Sequence, residues 1–167
     1  MDGKDLLKKV KEDNVKFLSL QFTDVMGAVK SVDMPIRDLE DVINDGAWFD
    51  GSSVEGFARI QESDMRLKID PDTYAVLPWS AAESKRARVF CDIFTPGGAP
   101  FEGDPRGALK RILKKIADRG WMLNIGPEPE FFLFKGENGH GVHPVPHDTG
   151  GYFDFSSFDE AVVVRTA

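Results

Sequence analysis

Two stretches of the sequence combine residue types that do chemistry. Glu128-Pro129-Glu130 runs straight into Phe131-Phe132-Leu133-Phe134. On a strand, side chains two apart share a face, so both carboxylates would point the same way, about 6 to 7 Å apart. The apolar run after them reads as a strand covered on both faces, and Pro129 removes one ladder donor, which points to an edge or a bulge. Two such carboxylates repel unless protonated or paired with a cation, and hard oxygen ligands suit Mg²⁺ or Mn²⁺. The alternative is a solvated strand end.

The second stretch is Phe49-Asp50-Gly51-Ser52-Ser53-Val54-Glu55-Gly56-Phe57. Its glycines allow a tight loop on which Asp50 and Ser53 offer an acceptor and a hydroxyl. A phosphate-binding P-loop fails, because Phe57 and Ala58 stand where Lys and Ser/Thr are required. A nucleophile elbow fails as well, with Glu55 in place of its second glycine. An ordinary surface turn remains open. Trp48, Phe49 and Phe57 bracket the loop as core residues or as an apolar patch for a neighbouring subunit. His140, His143 and His147 have zinc-like spacing but lie among Gly and Pro with no cysteine partner, so a loop is the better reading. Cys91, within an apolar strand, reads as core rather than nucleophile.

The elements that must position these residues form an α+β pattern. A helix capped by Asp2 places Leu6, Leu7 and Val10 on one face. Leu18, Leu20 and Phe22 alternate as a strand, Met26-Gly27 turns the chain, and Val29 and Val32 mark a returning strand. Pro35 starts a short helix (Ile36, Leu39, Ile43) that Gly46 ends. Three strand candidates follow at 66–70, 74–77 and 88–94, the first two separated by an Asp70-Pro71-Asp72 turn. The Pro/Gly run 96–100 is the clearest boundary. Beyond it Asp104 caps a helix with Pro105 at its first position and Gly120 past its end. Leu109, Ile112, Leu113 and Ile116 read as its buried stripe. Arg106, Lys110, Arg111, Lys114 and Lys115 read as its solvated face. Strands are expected at 121–125 and 128–134, a Gly/His/Pro loop at 135–151, and a helix opened by the Ser157/Glu160 capping box. That helix has no stop signal, so the second domain reads as cut off.

The chain has 167 residues, 41% of them hydrophobic, a formal charge of −7 and one cysteine. This is a globular composition, and a chain of this length can bury roughly 70% of its unfolded surface. The acidic balance argues against nucleic acid as a partner. No apolar run exceeds four residues, which argues against a membrane-spanning helix. One cysteine and no signal-like start favour a cytoplasmic setting.

Phe49-Asp50-Gly51-Ser52-Ser53, Glu62-Ser63-Asp64-Met65, Gly126-Pro127-Glu128-Pro129-Glu130-Phe131-Phe132 and Gly150-Gly151-Tyr152-Phe153 occur in an order that resembles prokaryotic-type glutamine synthetase. The resemblance spans essentially the whole chain. It implies a β-grasp-like N-terminal domain at 1–100 and the incomplete start of the catalytic domain at 101–167. It also implies ATP-dependent ligation of ammonia to glutamate through γ-glutamyl phosphate, within homo-oligomers of stacked six-membered rings. By the same resemblance Glu128 and Glu130 would hold Mg²⁺ or Mn²⁺, and Asp50 would bind ammonium and take its proton. Ser53, Asp64 and Tyr152 would border the ammonium pocket, with Asp50, Ser53 and Asp64 acting in the adjacent subunit's site. Arg59 matches an arginine linked to feedback inhibition by glutamine in one subclass, and otherwise reads as a surface arginine.

Family members are several hundred residues long, so the chain would hold only part of the site, and alone it is expected to be inactive. Two other functions remain open. One is a non-catalytic oligomer-interaction module, and the other is a related carboxylate–amine ligase.

Overall fold

A computed structural model describes residues 1–54, 64–131, 134 and 145–146. The chain divides into two compact units, 1–123 and 124–167.

The first unit is an α+β layer built on a five-stranded sheet. Helix α1 (Gly3–Glu12) opens with a capping box in which the Asp2 and Asp5 side chains each accept the other's backbone N–H. Asn14 follows at φ 54, a left-handed conformation that asparagine tolerates, and turns the chain into the sheet. Strand β1 (Phe17–Thr23) pairs antiparallel with β2 (Val29–Pro35), and a 3₁₀ turn leads into α2 (Leu39–Asp45). Strands β3 (Ala47–Asp50), β4 (Asp64–Val76) and β5 (Arg86–Phe94) complete the sheet. The order is β2-β1-β5-β4-β3, with β1 and β5 parallel and the other pairs antiparallel. One face is dry: Leu18 and Leu20, Met65 and Leu67, and Val89, Cys91 and Ile93 pack under Leu6, Val10 and Leu39 of the two helices. Burial pushes the Cys91 thiol up to about 12, so it is an inert core residue, as its apolar strand implied.

Three differences from the expected pattern lie within residues 1–120. The candidates at 66–70 and 74–77 are one strand, because both halves pair with β5. Asp70 lies opposite Phe90 and Ala75 opposite Arg88, with a register shift between them. Thr73 fills that bulge: its hydroxyl accepts the Phe90 N–H at 2.7 Å, and its carbonyl accepts Arg88 at 2.7 Å. Strand β3 was not foreseen, since four residues with only two of them half-buried give too short a pattern.

The third correction is α3 (Pro105–Ala117), whose apolar stripe is not buried and whose first turns also meet the sheet through basic residues. Arg106 and Lys110 face the outer side of the sheet and pair with Asp70 and Asp92. Leu109 and Ile112 remain 50% exposed, and no residue of α3 is buried. Two residues that the pattern assigned to solvent, Arg106 and Lys110, are thus held against sheet carboxylates, beside Leu109 of the stripe. Asp104 is 2% exposed and accepts both the Arg106 N–H of its own helix and the Ile93 N–H of β5. It therefore caps α3 and anchors it.

In the stretch 121–131 the expected strands do not form: the segment is irregular and exposed. A strand exists only with a ladder partner, and the one pairing described nearby is the isolated bridge between Phe134 and Pro146. Among the described residues no helix is long and apolar enough to cross a membrane.

Candidate functional site

Alternation along β3 is what presents Asp50. Phe49 points inward, its ring centroid 4.9 Å from that of Phe22, so Trp48 and Asp50 point outward. Beyond the strand, Gly51 and Val54 are buried and pin both ends of a one-turn 3₁₀ helix (Gly51–Ser53). That turn folds back onto the Asp50 carboxylate. The carboxylate accepts the Ser52 hydroxyl at 2.6 Å, the Ser52 N–H at 2.9 Å and the Ser53 hydroxyl at 3.1 Å. These bonds, led by the Ser52 hydroxyl, hold the Asp50 carboxyl below the usual carboxylate range and so keep it ionised.

Asp64, the first residue of β4, is the ladder partner of Asp50. Residues directly opposite across an antiparallel ladder bring their side chains close, and like charges there are destabilising by a few tenths to about 1 kcal/mol. Both are exposed, and no cation among the described residues lies within ion-pair distance of either. The end of the β3–β4 ribbon is thus a fixed, ionised, acidic surface that would gain from a cation.

Of the residues singled out from sequence, Asp50, Ser53 and Asp64 are brought together. Ser53 serves as a donor that steadies Asp50. Ser52, which was missed, is the closer donor, and its signal was available: an Asp followed two residues later by Ser or Asn is a side-chain-to-backbone turn pattern. Glu128 and Glu130 lie in the irregular segment, so the shared-face geometry that a strand would have imposed on them is absent. Among the described residues no cluster of three or more metal-ligating side chains occurs. Their carboxylates suit a hard divalent cation in donor type, but they supply only two ligands. Tyr152, Arg59, Phe57, the three histidines and the expected helix from Ser157 lie outside the described residues.

Two family models match the chain: the glutamine synthetase β-grasp domain over residues 14–96 and the glutamine synthetase catalytic domain over residues 102–167. The chain belongs to the glutamine synthetase family. Glutamine synthetases of Staphylococcus epidermidis and Staphylococcus aureus are each 50% identical to it over 157 residues, which is 93% of this chain and 35% of theirs. The chain spans about a third of the length of these relatives. A solved GmaS–ADP complex superposes with a TM-score of 0.63 at 28% identity, over 69% of this chain and 26% of that one. The cryo-EM structure of Plasmodium falciparum glutamine synthetase gives 0.65 at 20% identity, over 72% of this chain and 23% of that one, a likeness of fold. The mixed sheet of the first unit is accordingly a β-grasp.

Proposed function

We propose that this chain supplies the ammonium-binding side of a glutamate–ammonia ligase site, with residues 1–100 as the small domain and 101–167 as the opening of the catalytic domain. The observation that carries this reading is the Asp50–Asp64 pair. Two in-register carboxylates, one of them held ionised by Ser52 and Ser53, stand exposed on a ribbon end with no cation of the described residues between them. A small cation with several N–H donors fits such a place, and ammonium is the cation that the family's reaction consumes.

In that reaction ATP phosphorylates the glutamate side chain, because a bare carboxylate lacks a leaving group. Asp50 and Asp64 bind ammonium and orient it toward the acyl carbon. A carboxyl below its ordinary pKa is a weak base, so Asp50 takes the proton only as the nitrogen lone pair commits to the new C–N bond. Phosphate then leaves with the electrons of the broken C–O bond, and the second proton of the nitrogen passes to the departing phosphate or to water. Glu128 and Glu130 would hold Mg²⁺ or Mn²⁺, which when bound neutralises phosphate oxygens. Two carboxylates bind Mg²⁺ weakly without substrate phosphates, so the 167-residue chain alone is expected to release no phosphate in the synthetase assay.

The ribbon end lies at the sheet edge, where a neighbouring subunit of a homo-oligomer could complete the site. Arg59 would border the same loop as a glutamine-sensing residue, and Tyr152 would face ammonium from the catalytic side.

The test exploits the 50% identity. The matching segment of the S. epidermidis enzyme is replaced by this chain, and glutamine synthesis is measured. The chimera should be active, and Asp50→Asn in it should depress ammonia-dependent synthesis more than transfer to hydroxylamine, which is already uncharged near neutral pH. Equal losses in the two assays would assign Asp50 a structural role and overturn the reading.

A further inference from the structure

The geometry points to a second site: a cleft at the corner of α2 and β4 that binds a small oxyanion, a phosphate or carboxylate group. The cleft has a volume of about 140 Å³ and is lined by Asp45, Gly46, Arg66, Lys68, Phe94 and Gly98 among others. Arg66 and Lys68 are two apart on β4, so both cations leave the sheet on its outer face.

Neither cation has a carboxylate partner among the described residues. The Arg66 guanidinium stacks on Trp48 at 5.4 Å and gives one N–H to the Asp45 carbonyl at 3.3 Å. The Lys68 ammonium lies 5.7 Å from the centre of the Phe94 ring. Aromatic faces orient a cation but leave its charge and most of its donors available. No described carboxylate lies within 4.0 Å of either, whereas Arg86, Arg106 and Lys110 each hold an aspartate. What sets Arg66 and Lys68 apart is that both line one cleft.

Glycines keep the walls open. A Cβ on Gly98 would stand 3.5 Å from Arg66 Nη2, and one on Gly46 would stand 2.7 Å from Arg66 Cγ. A side chain at Gly46 would displace the Arg66 stem, whereas one at Gly98 would only reach ordinary contact with the guanidinium. The guanidinium fork matches the paired oxygens of phosphate or carboxylate, with Lys68 as a second point charge. Asp45 is the one carboxylate lining the cleft, and it works against the anion along with the last carbonyls of α2. Affinity in the millimolar range is therefore expected.

The experiment is a ¹H–¹⁵N titration of the 167-residue chain with inorganic phosphate at constant ionic strength. The Gly46 and Gly98 amides and the Trp48 indole should shift together and saturate. Lys68→Gln, at an exposed side chain with no hydrogen bond to the described residues, should weaken binding about 5-fold or more, and Asp45→Asn should tighten it about 2-fold, as charge-assisted binding requires. A parallel titration with acetate separates the sources: saturation of the same amides at similar concentration assigns a carboxylate ligand, and response to phosphate alone assigns a phosphate. Shifts that rise without saturation, or that are the same in both variants, would overturn the site.

Discussion

Removing the charge of Arg106 should release α3 from the sheet while leaving the sheet intact. Its guanidinium is 21% exposed and reaches two carboxylates, Asp92 at 2.6 Å and Asp70 at 2.5 Å, which are themselves about three-quarters buried. Breaking a fully buried pair costs about 3–5 kcal/mol and an exposed one about 0–1, so these partly buried contacts together are worth about 2–3 kcal/mol. Beyond Arg106 the helix is held by the Asp104 anchor at its start and by Lys110, which still answers both aspartates, and none of its own residues is buried. At 1.4 kcal/mol per tenfold, Arg106→Met should raise the open population of α3 by roughly 30- to 140-fold. Hydrogen exchange reads this directly: amides of α3 should lose that much protection, while amides of β1 and β5 keep theirs.

Acid should reproduce the effect. Burial works against the charge of Asp70, but its bonds to Arg106 more than offset this and hold its carboxyl below the usual range. The folded-state value is the lower one, so the stabilisation is complete above the ordinary carboxylate range near pH 4 and is lost as pH falls through the folded value. Unchanged α3 protection in Arg106→Met, at neutral pH and low salt, would refute electrostatic attachment. The contacts of Leu109 and Ile116 would then be holding the helix.

Asp104→Ala removes the cap of α3 and orphans the Ile93 N–H, and it should lower the urea stability of the first unit by about 2 kcal/mol. Thr73→Val keeps the shape of the β4 bulge but removes the acceptor for Phe90, costing about 1–2 kcal/mol by the same measurement, with Phe90 the amide that gains most exchange. Gly46 sits at φ 78, and its Cβ would stand 2.8 Å from the Leu67 carbonyl oxygen; Gly46→Ala should lower the melting temperature and cost about 1 kcal/mol or more. Ser52→Ala in the Staphylococcus chimera should raise the Asp50 pKa, moving the acid limb of the ammonia-dependent rate upward. An unshifted limb would mean that Ser52 does not tune Asp50.

What sequence made legible follows from how local each cause is. The capping box at Asp2, the hairpin at Met26-Gly27, the stop at Gly46 and the Asp104-Pro105 start all rest on bonds within a few residues, and all are where their residue types place them. The failures are long-range. Asp70-Pro71-Asp72 resembles a turn, yet β5 offers one edge to both flanking halves, and the Thr73 hydroxyl replaces the missing ladder bond. The stripe of α3 matches the helical period, but period alone cannot say which face meets the sheet. Asp70 and Asp92, fixed on β4 and β5, draw Arg106 and Lys110 onto it beside the stripe.

The same distinction separates the two acidic motifs. Glu128 and Glu130 share a face only if a ladder holds the segment extended, and that depends on a partner strand which no local signal supplies; at 121–131 none forms. Asp50 and Asp64 show no useful spacing along the chain, being fourteen residues apart. The pairing of β3 with β4 sets them opposite each other, and the inward Phe49 forces both to the outer side. Opposed aspartates would be selected against on a ribbon whose only task was to stay paired. Three donors hold Asp50 ionised where protonation would relieve the repulsion. The local rule is therefore broken in favour of a cation from outside the chain, and violations of this kind belong to functional sites more than to scaffolds.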